Sequence, residues 1–188
     1  MSDPVTPLNA ARYAGFCTVQ EIGPMGMITL RGALSELGDA VRATVGVDVP
    51  ALRRVAGAGD RWCAWMSPDE LLMMLPRADV AAALVRLGDE LAGVHHLSAD
   101  VSDARALFRV TGPLSREVLA KLTPADMAPL ALAPGEMRRT RLAQVAAAVR
   151  VVKEGEIEVI CLRSVAQYVF DLLSMSARPG GEVSLFSA

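Results

Sequence analysis

Few side chains in this sequence could do chemistry. His95 and His96 are the only histidines and are adjacent. On an extended strand neighbouring side chains point to opposite faces, so the pair cannot chelate one metal ion, and no Ser or Cys nucleophile pattern accompanies either. Cys63 and Cys161 lie among apolar neighbours, Trp62 and Ala64 in one case and Ile160 and Leu162 in the other. Without a charge to lower its pKa, a thiol in such a place is a small hydrophobe. Asp100 and Asp103 bracket a turn, and Asp60, Asp69 and Glu70 fall near a hairpin; turn capping accounts for each. Met25, Met27, Met73 and Met74 look like a soft-ligand set, yet methionine in strands is core filler or adaptable interface. Trp62 and Trp65 are three apart and face opposite sides of a strand, one toward core and one toward a contact. Arg138, Arg139, Arg141 and Arg150, with Arg109, could line an anion site. Alternation puts Arg139 and Arg141 on one face and Arg138 on the other, and a solvated strand face explains them equally. Gly57-Ala58-Gly59 lacks the third glycine of a dinucleotide fingerprint, and the chain has no P-loop, HExxH or G-x-S-x-G.

The elements that must hold these residues are easier to read. Residues 100–122 predict a strand, a Gly112-Pro113 corner and a helix: Ala106, Phe108 and Val110 alternate, then Leu114, Val118 and Leu122 recur every four. Strand-like Phe16–Ile22 and Met25–Arg31 flank Gly23-Pro24 and predict an initial hairpin. A helix ending at Gly46 and a loop over 47–60 follow. Next come a hairpin around Ser67-Pro68-Asp69, a helix over Arg77–Ala92 and a strand over Val94–Val101. Pro124–Gly135 is a connection, Met137–Val152 is extended, and Glu156–Leu162 turns back on it through Glu154-Gly155. Ser164 is the expected N-cap of a helix reaching Met175, and Val183–Phe186 is the expected last strand.

The halves repeat. Gly32-Ala-Leu-Ser-Glu and Gly112-Pro-Leu-Ser-Arg each stand between a strand and a helix, and each half runs strand, helix, strand, strand, helix, strand. That order predicts an α+β fold of two ferredoxin-like (βαββαβ) units. The expected divisions are an N-terminal arm over 1–24, a first lobe over 25–101 and a second over 102–188, with 25–188 as one compact domain.

The 188 residues carry 19 basic and 21 acidic side chains, a net charge of −2 with no run of one sign. A nucleic-acid or anionic-membrane surface is therefore not expected. Hydrophobic content is 52%, but the apolar runs fall far short of the ~20 residues of a membrane span; the excess points to surface covered by partner chains. The first residues lack the apolar core of a secretory signal, and three cysteines without a CxxC pair suit a reducing cytoplasm.

At D-V-S-x-x-x-A-L-F-R-V-T-G-P-L-S-R-E-V-L, Asp100 to Leu119, the sequence resembles the folate-binding aminomethyltransferase superfamily, which includes the T-protein of glycine cleavage. W-M-S-P-D-E-L-L (Trp65–Leu72), P-G-x-x-x-R-T-x-L-A (Pro134–Ala143) and R-S-V-A-Q-Y-V (Arg163–Val169) narrow the resemblance to the γ-subunit family of heterotetrameric sarcosine oxidase. This implies a supporting subunit of a complex that oxidatively demethylates sarcosine to glycine. Its α, β and δ partners would carry FAD, FMN, NAD and tetrahydrofolate, and this chain would hold no cofactor, metal or catalytic residue. The superfamily's enzymes place a carboxylate on the long strand before the glycine turn. Here Met137–Lys153 contains no Asp or Glu, so that base is missing. The alternative is a stand-alone folate-binding aminomethyltransferase-like protein, with Asp100 or Asp103 as an unconventional base.

Overall fold

The computed structural model describes residues 4–186. The strands and helices in chain order begin with β1 (Arg12–Ala14), β2 (Thr18–Ile22), β3 (Met25–Gly32), α1 (Gly38–Val45) and β4 (Val55–Ala58). β5 (Arg61–Ser67), β6 (Glu70–Pro76), α2 (Val80–Glu90), β7 (His96–Asp100) and β8 (Arg105–Thr111) follow. α3 (Ser115–Ala120), β9 (Met137–Leu142), β10 (Val145–Lys153), β11 (Glu156–Leu162) and α4 (Ala166–Ser176) complete the chain. It divides into two compact units: an inserted unit, Pro24–Asp103, and a flanking unit made of the residues up to Gly23 and those from Ala104 on.

Each unit is an antiparallel sheet with helices on one face. In the inserted unit the order is β4-β5-β6-β3-β7. Ile28 and Leu30 of β3, Cys63 of β5, and Leu71, Met73 and Leu75 of β6 form its core with Val41 of α1 and Leu87 of α2. α2 buries Val80, Ala83 and Leu87, the i, i+3, i+7 spacing of one helical face, and Leu91 just beyond it is buried too. Gly46 ends α1 in the left-handed region at φ 78°, as its position predicts. In the flanking unit the order is β1-β2-β8-β11-β10-β9. Val19, Phe108, Val110, Val149, Val159 and Cys161 meet Val118 of α3 and Val169 and Leu173 of α4.

The two glycine corners found by repeat both require glycine. Gly32 has φ 159° and Gly112 φ 140°, and a Cβ on Gly112 would lie 2.7 Å from Cys17 Sγ.

The broad expectation of helices on antiparallel sheets holds, and several local expectations do not. β2 and β3 form no hairpin: β2 pairs with β8, and β3 pairs with β6 and β7. Residues 12–22, expected in an N-terminal arm, thus supply two strands of the flanking sheet; residues 1–3 of that arm lie outside the described residues. The loop expected over 47–60 contains β4, which pairs with β5. Ser164 does not cap α4, whose first turn is a 3₁₀ turn over Arg163–Val165 with no side-chain cap. Val183–Phe186 is not a strand; the place beside β8 is taken by β2.

Candidate functional site

The D-V-S segment closes the edge of β3. Past the end of β7, Val101 N–H donates to Met27 O at 2.8 Å, and Met27 N–H donates to Ser102 Oγ at 2.9 Å. Ser102 in turn donates from both its N–H and its hydroxyl to Asp100 Oδ1. Arg77 donates to Asp100 Oδ2 at 2.9 Å and to Asp103 Oδ2 at 2.7 Å. Burial works to raise the Asp100 carboxyl, but the two Ser102 bonds and the Arg77 cation outweigh it and hold it below the usual carboxylate range. A carboxylate with both oxygens engaged and a lowered pKa is a poor proton acceptor near neutrality. The motif pins a strand end.

The flanking unit engages its charges more deeply. On the sheet face turned away from α3 and α4, Glu158 of β11 accepts from Arg109 of β8 at 2.8 Å and from Arg150 of β10 at 3.2 Å. The Arg150 and Glu158 side chains are each only 6% exposed. Burial draws the Arg150 guanidinium down, and the Glu158 carboxylate resists it. Glu156 adds a second carboxylate 3.1 Å from Arg109 Nε. Arg139 and Arg141 of β9 project to this same face and Arg138 to the other, as alternation predicts. Arg138 donates to Ala131 O instead of joining the cluster. The basic residues are thus split between faces, and the two drawn together are neutralised by glutamates.

α3 holds two connections. Buried Arg116 donates to Met127 O and Leu132 O, each at 2.9 Å, fixing the proline-rich segment, and forks onto Glu154. Buried Glu117 accepts from Val183 N–H at 2.7 Å and Leu185 N–H at 3.2 Å, with Ser184 between them at φ 54°. Burial raises the Glu117 carboxyl, but these amides and Lys121 more than offset it and lower its pKa. Buried Glu21 of β2 makes a similar backbone clasp near the start of the chain: it accepts from Leu8 N–H at 3.1 Å and Ala10 N–H at 2.9 Å, with Asn9 at φ 54°. In each, a left-handed kink aims two amides at one carboxylate, an anion-binding backbone turned inward on the chain's own side chain. Glu21, Arg116, Glu117 and Glu158 were not singled out from sequence. A signal existed for Glu21, which stands two and four positions from inward-facing Val19 and Cys17.

The remaining candidates are dispersed. His95 is exposed, His96 donates from Nδ1–H to Val94 O at 2.9 Å, and no cluster of metal-ligating residues occurs among the described residues. Cys17, Cys63 and Cys161 are buried and free, and desolvation pushes the thiols of Cys63 and Cys161 up to about 12. Met27, Met73 and Met74 are core residues, with Met27 opposite Met74 in the β3–β6 pairing, and Met25 begins β3. Trp62 is buried and Trp65 half-buried. Gly57 lies in β4, Asp60 is in the turn that follows, and Glu70 begins β6 opposite Arg31. Asp69 accepts from Ser67 and Arg31 at the β5–β6 turn.

A model of the sarcosine oxidase γ-subunit family matches residues 32–178. The chain belongs to that family. Its γ-subunit relatives include sarcosine oxidase subunit gamma of Corynebacterium sp. (strain P-1), 34% identical over 137 residues, and that of Arthrobacter sp, 32% identical over 137. Each alignment covers 70% of this chain and 66% of the relative, so it spans a little under two thirds of their length. Among solved structures, a chain of the heterotetrameric sarcosine oxidase from Corynebacterium sp. U-96, in complex with pyrrole 2-carboxylate, is similar to this γ-family chain. Its TM-score is 0.78 at 25% identity, covering 88% of this chain and 87% of that one. The glycine cleavage aminomethyltransferase T from Bartonella henselae shares the fold, with a TM-score of 0.61 at 15% identity. That match covers 85% of this chain and 45% of the other. The motifs that suggested the γ-subunit family, Trp65–Leu72, Pro134–Ala143 and Arg163–Val169, all lie within the matched span.

Proposed function

We propose that this chain is a non-catalytic γ subunit that supports a heterotetrameric oxidase converting sarcosine to glycine. Its α, β and δ partners carry the FAD, FMN, NAD and tetrahydrofolate. The observation that carries this reading is the engagement of the carboxylates: Asp100 is bound by Ser102 and Arg77, Glu158 by two arginines, and Glu21 and Glu117 by the chain's own amides. β10, the long strand on which the fold's transferases are expected to place their base, has no acidic residue. General-base chemistry needs a carboxylate within reach of a substrate proton, and none of these four is available for it. Each unit is read as ferredoxin-like, supported by strand orders in which the first and third strands of βαββαβ lie side by side in the centre. A reducing cytoplasmic setting is supported by three buried free thiols.

Co-expression with the other oxidase subunits tests the reading. The chain is expected to co-purify stoichiometrically with them, and alone to self-associate and bind no flavin. A monodisperse, yellow, active monomer sinks the proposal, as does calorimetric binding of tetrahydrofolate to the chain alone.

A further inference from the structure

α2 and α4 are each eleven residues long and each buries one face, but their uncovered faces differ. The exposed side of α2 carries Arg86, Asp89 and Glu90 around Val85. That of α4 carries a single charge, Asp171, beside Tyr168 and Met175, which are 41% and 52% exposed. With half-buried Leu172 these two follow the i, i+4, i+7 spacing of one stripe, separate from the Ala166, Val169 and Leu173 stripe that meets the core. A helix apolar over so much of its circumference is suited to being covered on both sides. The tail after α4 adds to the uncovered apolar surface. Lys121 ties it to the helix end, donating to Ser176 O at 3.4 Å and Gly181 O at 2.6 Å, while Glu117 holds the Val183 and Leu185 amides. Because the backbone is what is held, the Val183 and Leu185 side chains stay exposed.

We propose that this side of α4 docks on a different subunit of the oxidase, one presenting an apolar surface with a basic side chain opposite Asp171. The proposal rests on the subunit role given above and names the face that performs it. Charge separates the possible occupants. Asp171 lies at the middle of the stripe, so two copies meeting there across a two-fold axis would bring their Asp171 carboxylates together, and like charges at a contact are unfavourable. An unlike subunit can place a cation there instead. Gln167 donates to Asp171 Oδ1 at 2.9 Å, which restrains the carboxylate and leaves its charge in place. Tyr168 supplies a rigid amphipathic ring and Met175 an adaptable thioether, both suited to a contact surface. The clasps on the tail backbone hold Val183 and Leu185 in place beforehand, which lowers the ordering cost of association.

The test is a competition within the complex. Wild-type and variant full-length chains are co-expressed with the other oxidase subunits, and the complex is purified through one of those subunits. The two chains are then counted by intact mass against their ratio in the soluble lysate, which separates loss of docking from loss of folded chain. Tyr168→Glu and Met175→Glu are expected to be under-represented at least about tenfold, the scale of a lost interface anchor. Asp171→Lys is expected to be under-represented too, through repulsion of the facing cation. Val85→Glu, at a still more exposed apolar position on α2, should compete as wild type. A photo-cross-linker attached at Met175→Cys, with the three native thiols buried, should join this chain to another subunit. Equal incorporation of Tyr168→Glu and Met175→Glu, or exclusion of Val85→Glu to the same degree, would overturn the proposal. A cross-link to a second copy of this chain would overturn the choice of partner. A wild-type chain that joins no complex removes the subunit reading itself, and is seen before any variant is compared.

Discussion

β7 and β2 occupy equivalent places in the two units, each beside the strand that leads into a glycine corner, but they reach those places differently. β7 pairs with β3 and arrives directly after α2, a short connection within its own unit. β2 pairs with β8 and precedes the inserted unit in the sequence, while the residues after α4 are held at Glu117. The same sheet edge is thus filled locally in one unit and from a distant part of the chain in the other. The lesson is that the strand-helix repeat specifies where a strand is needed more strictly than it specifies which segment supplies it.

The largest test of this difference is Val19→Asp. Val19 is fully buried in β2 opposite Val110, and a charge there is expected to cost about 5 kcal/mol or more. Hydrogen exchange should then show protection lost across β8, β10 and β11 and retained across β3, β5 and β6. Uniform loss across both sheets would mean that the units do not respond separately.

A second contrast lies between β6 and β11. β6 buries an unbroken apolar run, Leu71–Leu75, whereas β11 places Glu158 among buried residues. Glu158→Leu strands the Arg150 cation and is expected to cost about 3–5 kcal/mol in denaturant unfolding. The double replacement Glu158→Leu with Arg150→Met should recover most of that loss, which makes the flanking sheet resemble the inserted one. A double variant no more stable than the single would show that the pair contributes more than it costs to bury.

The smallest effect concerns the chain ends. The folded pKa of Glu117 is lowered, so the stability its clasp contributes is fully present above the unfolded glutamate range, about 4.3. It is lost as pH falls through the lower folded value. The Val183 and Leu185 amide resonances should shift together below about pH 4 and stay flat in Glu117→Gln. Amides unmoved until the whole chain unfolds would remove the clasp from the account.

Elements with strong local patterns were legible. The β5–β6 hairpin, α2, and the β10–β11 turn at Glu154-Gly155 follow from alternation, helical spacing and turn residues. What local patterns do not contain is pairing. Phe16–Ile22 and Met25–Arg31 look like one hairpin because Gly23-Pro24 is turn-like, yet β2 and β3 pair with strands far along the chain. V-S-L-F at 183–186 alternates like a strand, but Ser184 is left-handed and the backbone is held by a carboxylate on α3. The D-V-S residues were visible as a motif, while their role depended on Arg77 and Met27, more than twenty and seventy residues away. The buried carboxylates were obscured because acidic residues in a sequence read first as solvated.

The displaced origin of β2 also matters while the protein is being made. β2 leaves the ribosome before the inserted unit, yet its partner β8 is translated only after that unit is complete. At about 5–20 residues per second, the gap lasts several seconds, long enough for an independent unit of that size to fold. During that interval β2 can pair only with β1, the edge that will meet β8 stays open, and the flanking sheet closes only when the second half of the chain returns to it.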